Sequence, residues 1–488
     1  MGAPFEPRVL DRAPVDSLDD YLADGGGDGL AAAAKLGPVA TIEEVEASGV
    51  RGRGGAGFPT GRKWRTVAEN ASPALPATVV VNAAEGEPGS FKDRELLRRN
   101  PYRTLEGALI AAGAVGADRV VVALKASFRS EIERVRSAIA ELRAAGWADA
   151  VDLDVLEGPE EYLFGEETGL LEVIEGRPPF PRIAPPFRHG AEEIGDGDES
   201  AADVVLAAPG QVSVAPPTLA NNTETLAHVP GVLAHGPDWY RSVGTVESPG
   251  TVVCTVSGWT TRSAVGEVAM GTPLRAVIDD IGGGARRGQR IVAVLSGVAN
   301  PLLPAARLDT PVSYEAMERA GTGLGAAGFM VFDDTVDLVA VAQGVARFLA
   351  VESCGQCTPC KQDGLAIAEI LGRFCRSEAT DEDLAALEDR LATVTDGARC
   401  YLAHQQERVM VSLLEHFPDV LAAHLDNAEH PVAVEPMLIA PLVNVDGGKA
   451  TVEERHRAKQ PDWTYNETDS GKVPAERLAT PGAEPEEE

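Results

Sequence analysis

The sequence predicts an α/β protein that continues into a β-grasp module and then into a helical bundle. Short β-branched runs at 77–84, 118–126 and 151–158 alternate with helical patterns, which indicates a mainly parallel sheet. Between 246 and 334, strand-like runs surround one short helical run, which is typical of a compact β-grasp module. From 335 to 425, apolar residues recur at helical spacing, which predicts a small helical bundle.

The remaining elements are predicted in order along the chain. Residues 1–50 read as helical and acidic, and a helix is predicted within 165–176, where a glycine and two acids precede apolar residues. The polar residues 426–488 are predicted to form an acidic tail that is extended or disordered. The predicted domains are therefore 1–245 (α/β), 246–334 (β-grasp), 335–425 (bundle) and 426–488 (tail).

The composition of the chain is strongly acidic. Its formal net charge is −32, and 8 of its 43 basic residues are Lys, which leaves 35 Arg. A general nucleic-acid binder needs a basic face, so this class is excluded. An acidic surface of this kind repels itself unless salt screens it, which favours a halophilic protein over an ordinary acidic one.

The sequence also indicates the compartment. The longest uncharged apolar stretch, 291–306, is short and is interrupted by Ser, Gly, Asn and Pro, so direct membrane insertion is not expected. The amino terminus has no apolar stretch after a basic start, so no signal peptide is expected. A chain of this length needs no disulfide framework, and we expect a reducing cytoplasm in which thiolates bind metal.

Three thiols follow one another in "ESCGQCTPC" as C-x2-C-x2-C, at Cys354, Cys357 and Cys360. Zinc sites generally pair two C-x2-C units across a longer span, whereas three thiols in succession are typical of a four-iron cluster. The spacing favours an iron–sulfur cluster, with zinc and inert core thiols as the alternatives.

The fourth ligand must come from farther along the chain. Cys254 lies in an apolar strand, and Cys375 ends an apolar helix, where cysteine is most often a small core residue. Cys400 follows a turn that can direct its thiolate toward a cluster. We therefore predict Cys400 as the fourth ligand.

A glycine-rich segment at 52–64 contains a formal G-x-G-x-x-G pattern. A Rossmann fingerprint requires a strand before it, and here a helical pattern precedes it, so that interpretation fails. Successive glycines still let the backbone approach a flat or phosphate-bearing ligand, and Arg53, Arg62 and Lys63 add positive charge. The alternative is an ordinary flexible loop.

Two further polar segments lie beside predicted elements. The segment 81–94 comes after a strand and contains Asn82, Glu85 and Glu87, and ligand sites of α/β sheets lie beyond the carboxyl ends of strands. The segment 221–230 precedes a helical run, where backbone N–H groups can meet a phosphate. Its alternative role is that of a helix N-cap.

Several motifs occur together in the order seen in one known family. They are "RGRGGAGFPTGRKW", "VNAAEGEPGSFKDR", "YLFGEETGLLEVIEG", "PPF", "NNTETLAHVP", "VSG" and "ESCGQCTPC". From about Ser17 to Leu425 the chain resembles the NADH-binding flavoprotein (F-type) subunits of respiratory complex I and the related diaphorase subunits. The resemblance implies an α/β domain that binds FMN and NADH, a ubiquitin-like β-grasp (SLBB) domain, and a bundle that carries one [4Fe–4S] cluster.

The resemblance also implies the site residues. FMN contacts are implied for Gly52, Gly54, Lys63, Asn82, Glu85, Tyr162, Gly165, Glu166, Asn221, Asn222 and Thr225. NADH contacts are implied for Phe58, Glu87, Glu167 and Phe187, with Glu166 and Glu167 near the flavin. The cluster ligands are implied to be Cys354, Cys357, Cys360 and Cys400, in agreement with the prediction from spacing. The chain departs from the family pattern at Ala84, where Asp is usual, at Phe164, where Cys is usual, and at Ala184, where Lys is usual.

The implied activity is that of an NADH:acceptor oxidoreductase, the electron-input subunit of an NADH dehydrogenase. NADH would reduce FMN, and electrons would pass singly to the cluster and on to a partner or a quinone-reducing complex. The implied partners are a thioredoxin-like [2Fe–2S] subunit and a downstream iron–sulfur or quinone-reducing module, at the inner face of the cell membrane. The alternatives are a diaphorase subunit of a formate dehydrogenase or hydrogenase, and a non-catalytic iron–sulfur scaffold, which Ala84 and Ala184 motivate.

Overall fold

A computed structural model describes residues 6–182 and 216–478, and its first half is built around a parallel sheet. Four helices precede the sheet: α1 (Leu18–Ala23), α2 (Asp28–Leu36), α3 (Pro38–Ser48) and α4 (Thr60–Asn70). The sheet and its helices follow as β1 (Ala77–Asn82), α5 (Lys92–Arg99), α6 (Pro101–Val115), β2 (Ala117–Lys125), α7 (Arg129–Ala144), β3 (Asp152–Gly158), α8 (Glu167–Ile174), β4 (Thr218–Asn222), α9 (Thr223–His235) and α10 (Pro237–Arg241). The predicted helical start, the three predicted strands and the helix within 165–176 are confirmed.

The strand order of this sheet is β3-β2-β1-β4, and all neighbouring pairs are parallel. The register pairs Asn82 at the end of β1 with Asn222 at the end of β4. Polar side chains that lie far apart in the sequence therefore meet at one edge of the sheet, where ligand sites of α/β folds occur. The sequence did not predict β4, because "TLANN" has no β-branched run and becomes a strand only beside β1.

The second region is a mixed five-stranded sheet with a helix packed on it. Its elements are β5 (Thr251–Gly258), β6 (Ala264–Ala269), α11 (Leu274–Gly282), β7 (Ile291–Ser296), β8 (Leu303–Pro304), α12 (Tyr314–Arg319) and β9 (Gly328–Asp333). The strand order is β6-β5-β9-β7-β8, with β5 and β9 parallel. This arrangement is a β-grasp, as predicted, and its core includes Leu274, Val277 and Ile278 of the helix.

The third region is helical, as predicted. It consists of α13 (Leu338–Glu352), α14 (Thr358–Cys375), α15 (Asp381–Thr393), α16 (Leu402–His416) and α17 (Pro418–Ala422). An apolar core that includes Val345, Leu349 and Leu371 joins the long helices. Within the described residues, no helix has the length and apolarity needed to cross a membrane.

The residues after 425 have a defined structure up to 478, so the prediction of an extended or disordered tail is wrong for that part. They form a hairpin of β10 (Leu442–Asp446) and β11 (Lys449–Val452), a 3₁₀ turn at Glu454–Arg457 and the short α18 (Pro474–Arg477). The segment is polar in composition, but Trp463 is buried in the core of the bundle and Lys459 is buried in an ion pair. The polar average composition of the segment did not reveal that these few residues are buried and hold it against the bundle.

Candidate functional site

The carboxyl ends of β1 and β4 meet the turn that leads into α8, and the region bordered by Lys63, Asn82, Gly165 and Ala220 is here called the cleft. Asn82 donates a side-chain hydrogen bond to the Gly165 carbonyl at 2.9 Å. Lys63 of α4 reaches the same place: its Nζ donates to the Ala220 carbonyl and to Glu167 Oε1, both at 2.7 Å. The tertiary structure thus joins three separate motifs of the resemblance and the strand end just before a fourth.

The glycine-rich loop lies over this edge of the sheet. Its two ends are held by a bridge between Arg51 and Pro59 and by a 2.8 Å hydrogen bond from the Gly52 amide to the Phe58 carbonyl. Gly54 is exposed, and a Cβ at its position would lie 3.4 Å from Cβ of Asn222. The loop therefore presents bare backbone beside the strand ends, a surface that a flat ring or phosphate can approach.

Arg53 does not contribute positive charge to the cleft, which corrects the expectation from the sequence. Its side chain is 2% exposed and lies beneath the glycine loop. Its Nη2 donates to Tyr240 Oη at 3.1 Å and to the Thr251 carbonyl at 2.9 Å, and Nε lies 3.7 Å from Glu224. Arg53 therefore fastens the loop to the β-grasp region, whereas Lys63 is a cation that borders the cleft.

Glu85 and Thr225, both implied as flavin contacts, hold the protein backbone. The Glu85 carboxylate accepts from Ser90 Oγ, from the Asp93 amide and from Nε of Arg94 at 2.8–3.0 Å. Its φ of 29° is unusual for a residue with a side chain and turns the chain from β1 toward α5. Thr225 Oγ1 accepts from the Arg53 amide at 2.8 Å and so supports the glycine loop from below.

Two further residues implied for the flavin form helix N-caps. Glu166 accepts from the Thr168 and Gly169 amides at the start of α8, at 2.9 and 2.7 Å, and burial raises the pKa of this carboxyl. Asn222 accepts from the Glu224 amide at 3.0 Å at the start of α9, so the N-cap alternative holds for this side chain. Both amino ends point into the edge of the sheet, so their backbone N–H groups and dipoles favour an anionic ligand there.

A hydrogen-bonded chain of Glu87, Tyr162 and Gln405 crosses from the cleft to the bundle. Tyr162 donates its hydroxyl proton to Glu87 Oε2, and Gln405 Nε2 donates to the same hydroxyl oxygen at 2.9 Å. Glu87 Oε1 also accepts from the Val298 amide of the β-grasp region at 2.6 Å. Burial raises the pKa values of both Glu87 and Tyr162. Sequence reasoning missed Gln405, because it lies in an ordinary helical pattern.

The two aromatic residues implied to contact NADH are Phe58 and Phe187, and the structure describes Phe58. Phe58 is 41% exposed at the end of the glycine loop, and the guanidinium carbon of Arg62 lies 5.9 Å from its ring centre. A large exposed aromatic ring beside a cleft can stack on a planar ligand. Phe187 lies outside the described residues, as does Ala184.

A second cavity contains the four thiols that were predicted as ligands. Cys354, Cys357, Cys360 and Cys400 line it together with Leu163 and Pro181. Cys254 lies in the β-grasp core and Cys375 in the bundle core. Of the three candidates for the fourth ligand, Cys400 is thus the thiol that shares the cavity with the C-x2-C-x2-C run.

The environment of these thiols suits an iron–sulfur cluster. Burial raises the pKa of Cys360 to about 11 and that of Cys400 to about 12, so these thiols ionise only when a bound cation compensates. Ser353 Oγ lies 3.3 Å from Cys360 Sγ, and Gln356 Nε2 donates to Cys354 Sγ at 3.5 Å. Burial and hydrogen bonds to the sulfur atoms are two of the features by which a protein sets the potential of such a cluster.

The cleft and the thiol cavity share one structural element, the 3₁₀ turn Tyr162–Gly165. Leu163 of this turn lines the thiol cavity, while Gly165 accepts the hydrogen bond from Asn82 in the cleft. The charge of Glu166 further raises the pKa of Cys400, which places the two groups in one electrostatic environment. A single short turn therefore separates the two sites.

Comparison with known proteins matches two regions of the chain. The family model of the Nuo51 FMN-binding domain matches residues 45–231, and that of the NADH-ubiquinone oxidoreductase-F iron–sulfur binding region matches residues 340–424. The F 2 subunit of the NADH-quinone oxidoreductase of Rhizobium meliloti is 33% identical over 447 residues, which cover 88% of this chain and 99% of that protein. The HndC subunit of the NADP-reducing hydrogenase of Solidesulfovibrio fructosivorans is 32% identical, and the match covers 89% of this chain and 86% of HndC.

A solved structure extends the similarity to the fold. The crystal structure of an NAD⁺-reducing [NiFe]-hydrogenase in the H₂-reduced state matches 87% of this chain and 68% of the hydrogenase chain, with a TM-score of 0.72 and 32% identity. The family matches and the fold identify an NADH-oxidising flavoprotein with FMN and a [4Fe–4S] cluster as its cofactors. The chain belongs to the family of the F-type subunits of NADH-quinone oxidoreductase.

Proposed function

We propose that this chain is the electron-input subunit of a larger complex, with the FMN and NADH site in the cleft at β1 and β4 and the cluster in the thiol cavity. The observation that carries this proposal is the shared turn Tyr162–Gly165, since electron transfer requires the two sites to be neighbours. When bound, FMN accepts a hydride from NADH and gives up electrons singly.

The residues of the cleft would bind and orient the two ligands. The backbone at Gly52 and Gly54 would lie against the flavin, and Lys63 would offer its ammonium group to an anionic part of the ligand. Asn82, Tyr162, Gly165, Asn221 and Asn222 would complete the flavin side, with Glu85, Glu166 and Thr225 acting through the backbone segments that they hold. Phe58, Glu87, Glu167 and Phe187 would contact NADH, and Cys354, Cys357, Cys360 and Cys400 would hold the cluster.

Two departures from the family pattern, Ala84 and Phe164, lie in the layer behind the cleft. Ala84 and Phe164 are both fully buried in one apolar cluster with Val80, Leu170 and Ala220. The missing carboxylate at Ala84 is therefore accompanied by an apolar side chain at Phe164, so no unpaired charge is left behind the cleft. The layer behind the cleft therefore stays packed, and the loss of the carboxylate at Ala84 does not by itself favour the scaffold alternative.

Two host complexes fit the same chemistry. One is a respiratory NADH-quinone oxidoreductase, as in the relative from Rhizobium meliloti, and the other is a hydrogenase of the kind that contains HndC. In either case we propose an SLBB-type role for the β-grasp region and docking to electron-transfer subunits, including a thioredoxin-like [2Fe–2S] partner. We propose a cytoplasmic location, at the inner face of the membrane through partners. Proteins that copurify with the chain would distinguish the two hosts.

Reduction of ferricyanide by NADH tests the proposed activity. We expect the full chain, reconstituted with FMN and iron–sulfide, to catalyse this reaction, because all residues proposed to contact FMN and NADH belong to this one chain. Lys63→Met should raise the KM for NADH or lower flavin content, whereas Lys449→Met, an exposed change on β11, serves as the matched control. A chain that binds FMN stoichiometrically but does not oxidise NADH would contradict the proposal.

We also propose that the acidic surface is an adaptation to high salt. Raising salt from about 0.1 to about 1 M shortens the Debye length from roughly 10 to 3 Å, which screens the self-repulsion of a surface with net charge −32. The thermal midpoint and the rate of NADH oxidation should both rise. Salt weakens repulsion among many surface charges, whereas it weakens the local attraction between Lys63 and the ligand at only one charge. Calorimetry in NaCl, with sucrose as a non-ionic control, measures this. A midpoint that stays level or falls would reject the halophilic interpretation.

A further inference from the structure

The segment 454–477, here called the C-terminal cover, lies against the loop that contains the first three thiols. The family model for the iron–sulfur region ends at residue 424, so this segment is additional to the matched domain. It begins with the 3₁₀ turn Glu454–Arg457 and ends with α18. Although its composition is polar, it contains the buried residues His456, Lys459 and Trp463.

Three hydrogen bonds join the cover to the thiol loop and its flanking helices, and each has a backbone carbonyl as its acceptor. The Ala475 amide donates to the carbonyl of Cys354 at 2.9 Å. Trp463 Nε1 donates to the carbonyl of Val351 at 2.9 Å, just before the loop. The Pro461 carbonyl accepts from Lys361 Nζ at 2.6 Å, directly after Cys360. The cover thus grips the loop at its start, at a thiol residue and at its end.

Lys361 shows how the cover completes the environment of the loop. Its ammonium group is buried and also donates to the Ala350 and Ser353 carbonyls, both at 2.9 Å, at the end of α13. A cation at this end of a helix is favoured by the helix dipole, and a buried cation needs all of its acceptors. Pro461 supplies the shortest of these hydrogen bonds from outside the bundle.

A buried ion pair links the cover to the 3₁₀ turn between the two sites. Lys459 Nζ donates to Glu352 Oε1 at 2.6 Å, and His456 Nε2 lies 2.9 Å from the same oxygen. The other oxygen, Glu352 Oε2, accepts from the Tyr162 amide at 3.0 Å. The side chains of Glu352 and Lys459 are 3% and 2% exposed, so each charge depends on the other.

We propose that the C-terminal cover closes the iron–sulfur loop and retains the cluster, and that the Glu352–Lys459 pair is the positioning contact that locks it. The proposal rests on the proposed ligand set at Cys354, Cys357, Cys360 and Cys400. Without the cover, the Cys354 carbonyl and the Lys361 ammonium would each lose a partner. The loop would then open to solvent, oxidants and chelators.

The rate at which a chelator removes iron from the reconstituted full-length protein tests this. We expect Lys459→Met to accelerate iron release by at least about tenfold relative to the wild type, because it leaves a buried carboxylate unpaired beside the loop. Lys449→Met should release iron at the wild-type rate, since Lys449 is exposed on the hairpin before the cover. FMN content should be unchanged in both variants.

The double variant Glu352→Gln/Lys459→Met separates loss of the lock from the cost of an unpaired buried charge. It leaves no unpaired charge, so its thermal midpoint should recover toward that of the wild type. It still lacks the ion pair, so it should release iron faster than the wild type. Trp463→Phe, which removes one hydrogen bond without a charge, should show a smaller acceleration in the same direction.

Three outcomes would overturn the proposal. Equal iron release from Lys459→Met and Lys449→Met would show that the cover does not retain the cluster. Iron release at the wild-type rate from the double variant would show that the ion pair does not lock the cover. Loss of FMN together with iron in Lys459→Met would show general unfolding in place of loop opening. Failure of the ligand set is separate, because Cys400→Ser would then keep its iron, whereas failure of the cover alone leaves Cys400→Ser without iron and Lys459→Met with it.

Discussion

Cys400→Ser is expected to abolish the [4Fe–4S] cluster, whereas Cys375→Ser is expected to leave it in place. Cys400 lines the same cavity as Cys354, Cys357 and Cys360, and Cys375 is buried in the bundle core. Loss of one supporting contact around a metal ligand already costs about 10- to 100-fold in affinity, so loss of a ligand should cost at least as much. Bound iron and the visible absorbance of the cluster measure the effect.

Cys375→Ser is an informative control because it is not a silent substitution. It places a hydroxyl in an apolar core, which should lower the free energy of unfolding by about 1–3 kcal/mol and lower the thermal midpoint. The two variants should therefore differ: Cys400→Ser loses iron, whereas Cys375→Ser loses stability but keeps iron. Equal iron loss in both variants would show that the ligand assignment is wrong.

Gly54→Val is expected to weaken FMN binding strongly while the fold remains intact. A Cβ at position 54 would lie 3.4 Å from Cβ of Asn222, so the protein itself leaves nearly enough space for this one atom. The two added methyl groups would occupy the exposed face of the loop, where the flavin is proposed to lie. Overpacking of a tight contact costs about 1–3 kcal/mol, which corresponds to roughly 5- to 150-fold weaker binding.

Titration of the apoprotein with FMN, followed by flavin fluorescence, measures this effect. Gly113→Val is the matched control, because Gly113 is exposed on α6 and a Cβ there has no neighbour within 4 Å. The bundle should keep its cluster in both variants, since its core does not include either position. Undiminished FMN affinity in Gly54→Val would mean that the glycine loop does not approach the flavin.

Much of the fold followed from local patterns. The strands at 77–82 and 117–125 carry runs of buried valine, and Leu153 and Val155 alternate with polar residues at 152–158, so local sequence indicates all three strands. The strand β4 was not predicted, because "TLANN" has no β-branched run and becomes a strand beside β1. The strand β9 was also missed, although the Phe and Val residues of "GFMVFD" favour a strand. The tail was misjudged for a related reason: its order depends on buried partners supplied by the bundle.

The sequence by itself determined the class of chemistry, because the thiol spacing and the order of the motifs are properties of the chain. Only the tertiary structure decided which side chains face a ligand: it turned Arg53 beneath the glycine loop and Glu85 toward Arg94. It also brought Lys459 to Glu352 across 107 positions of sequence. The sequence does not distinguish a charged residue that binds a ligand from one that pairs with a buried side chain. Packing decides this, because it determines which group replaces the water around the charge.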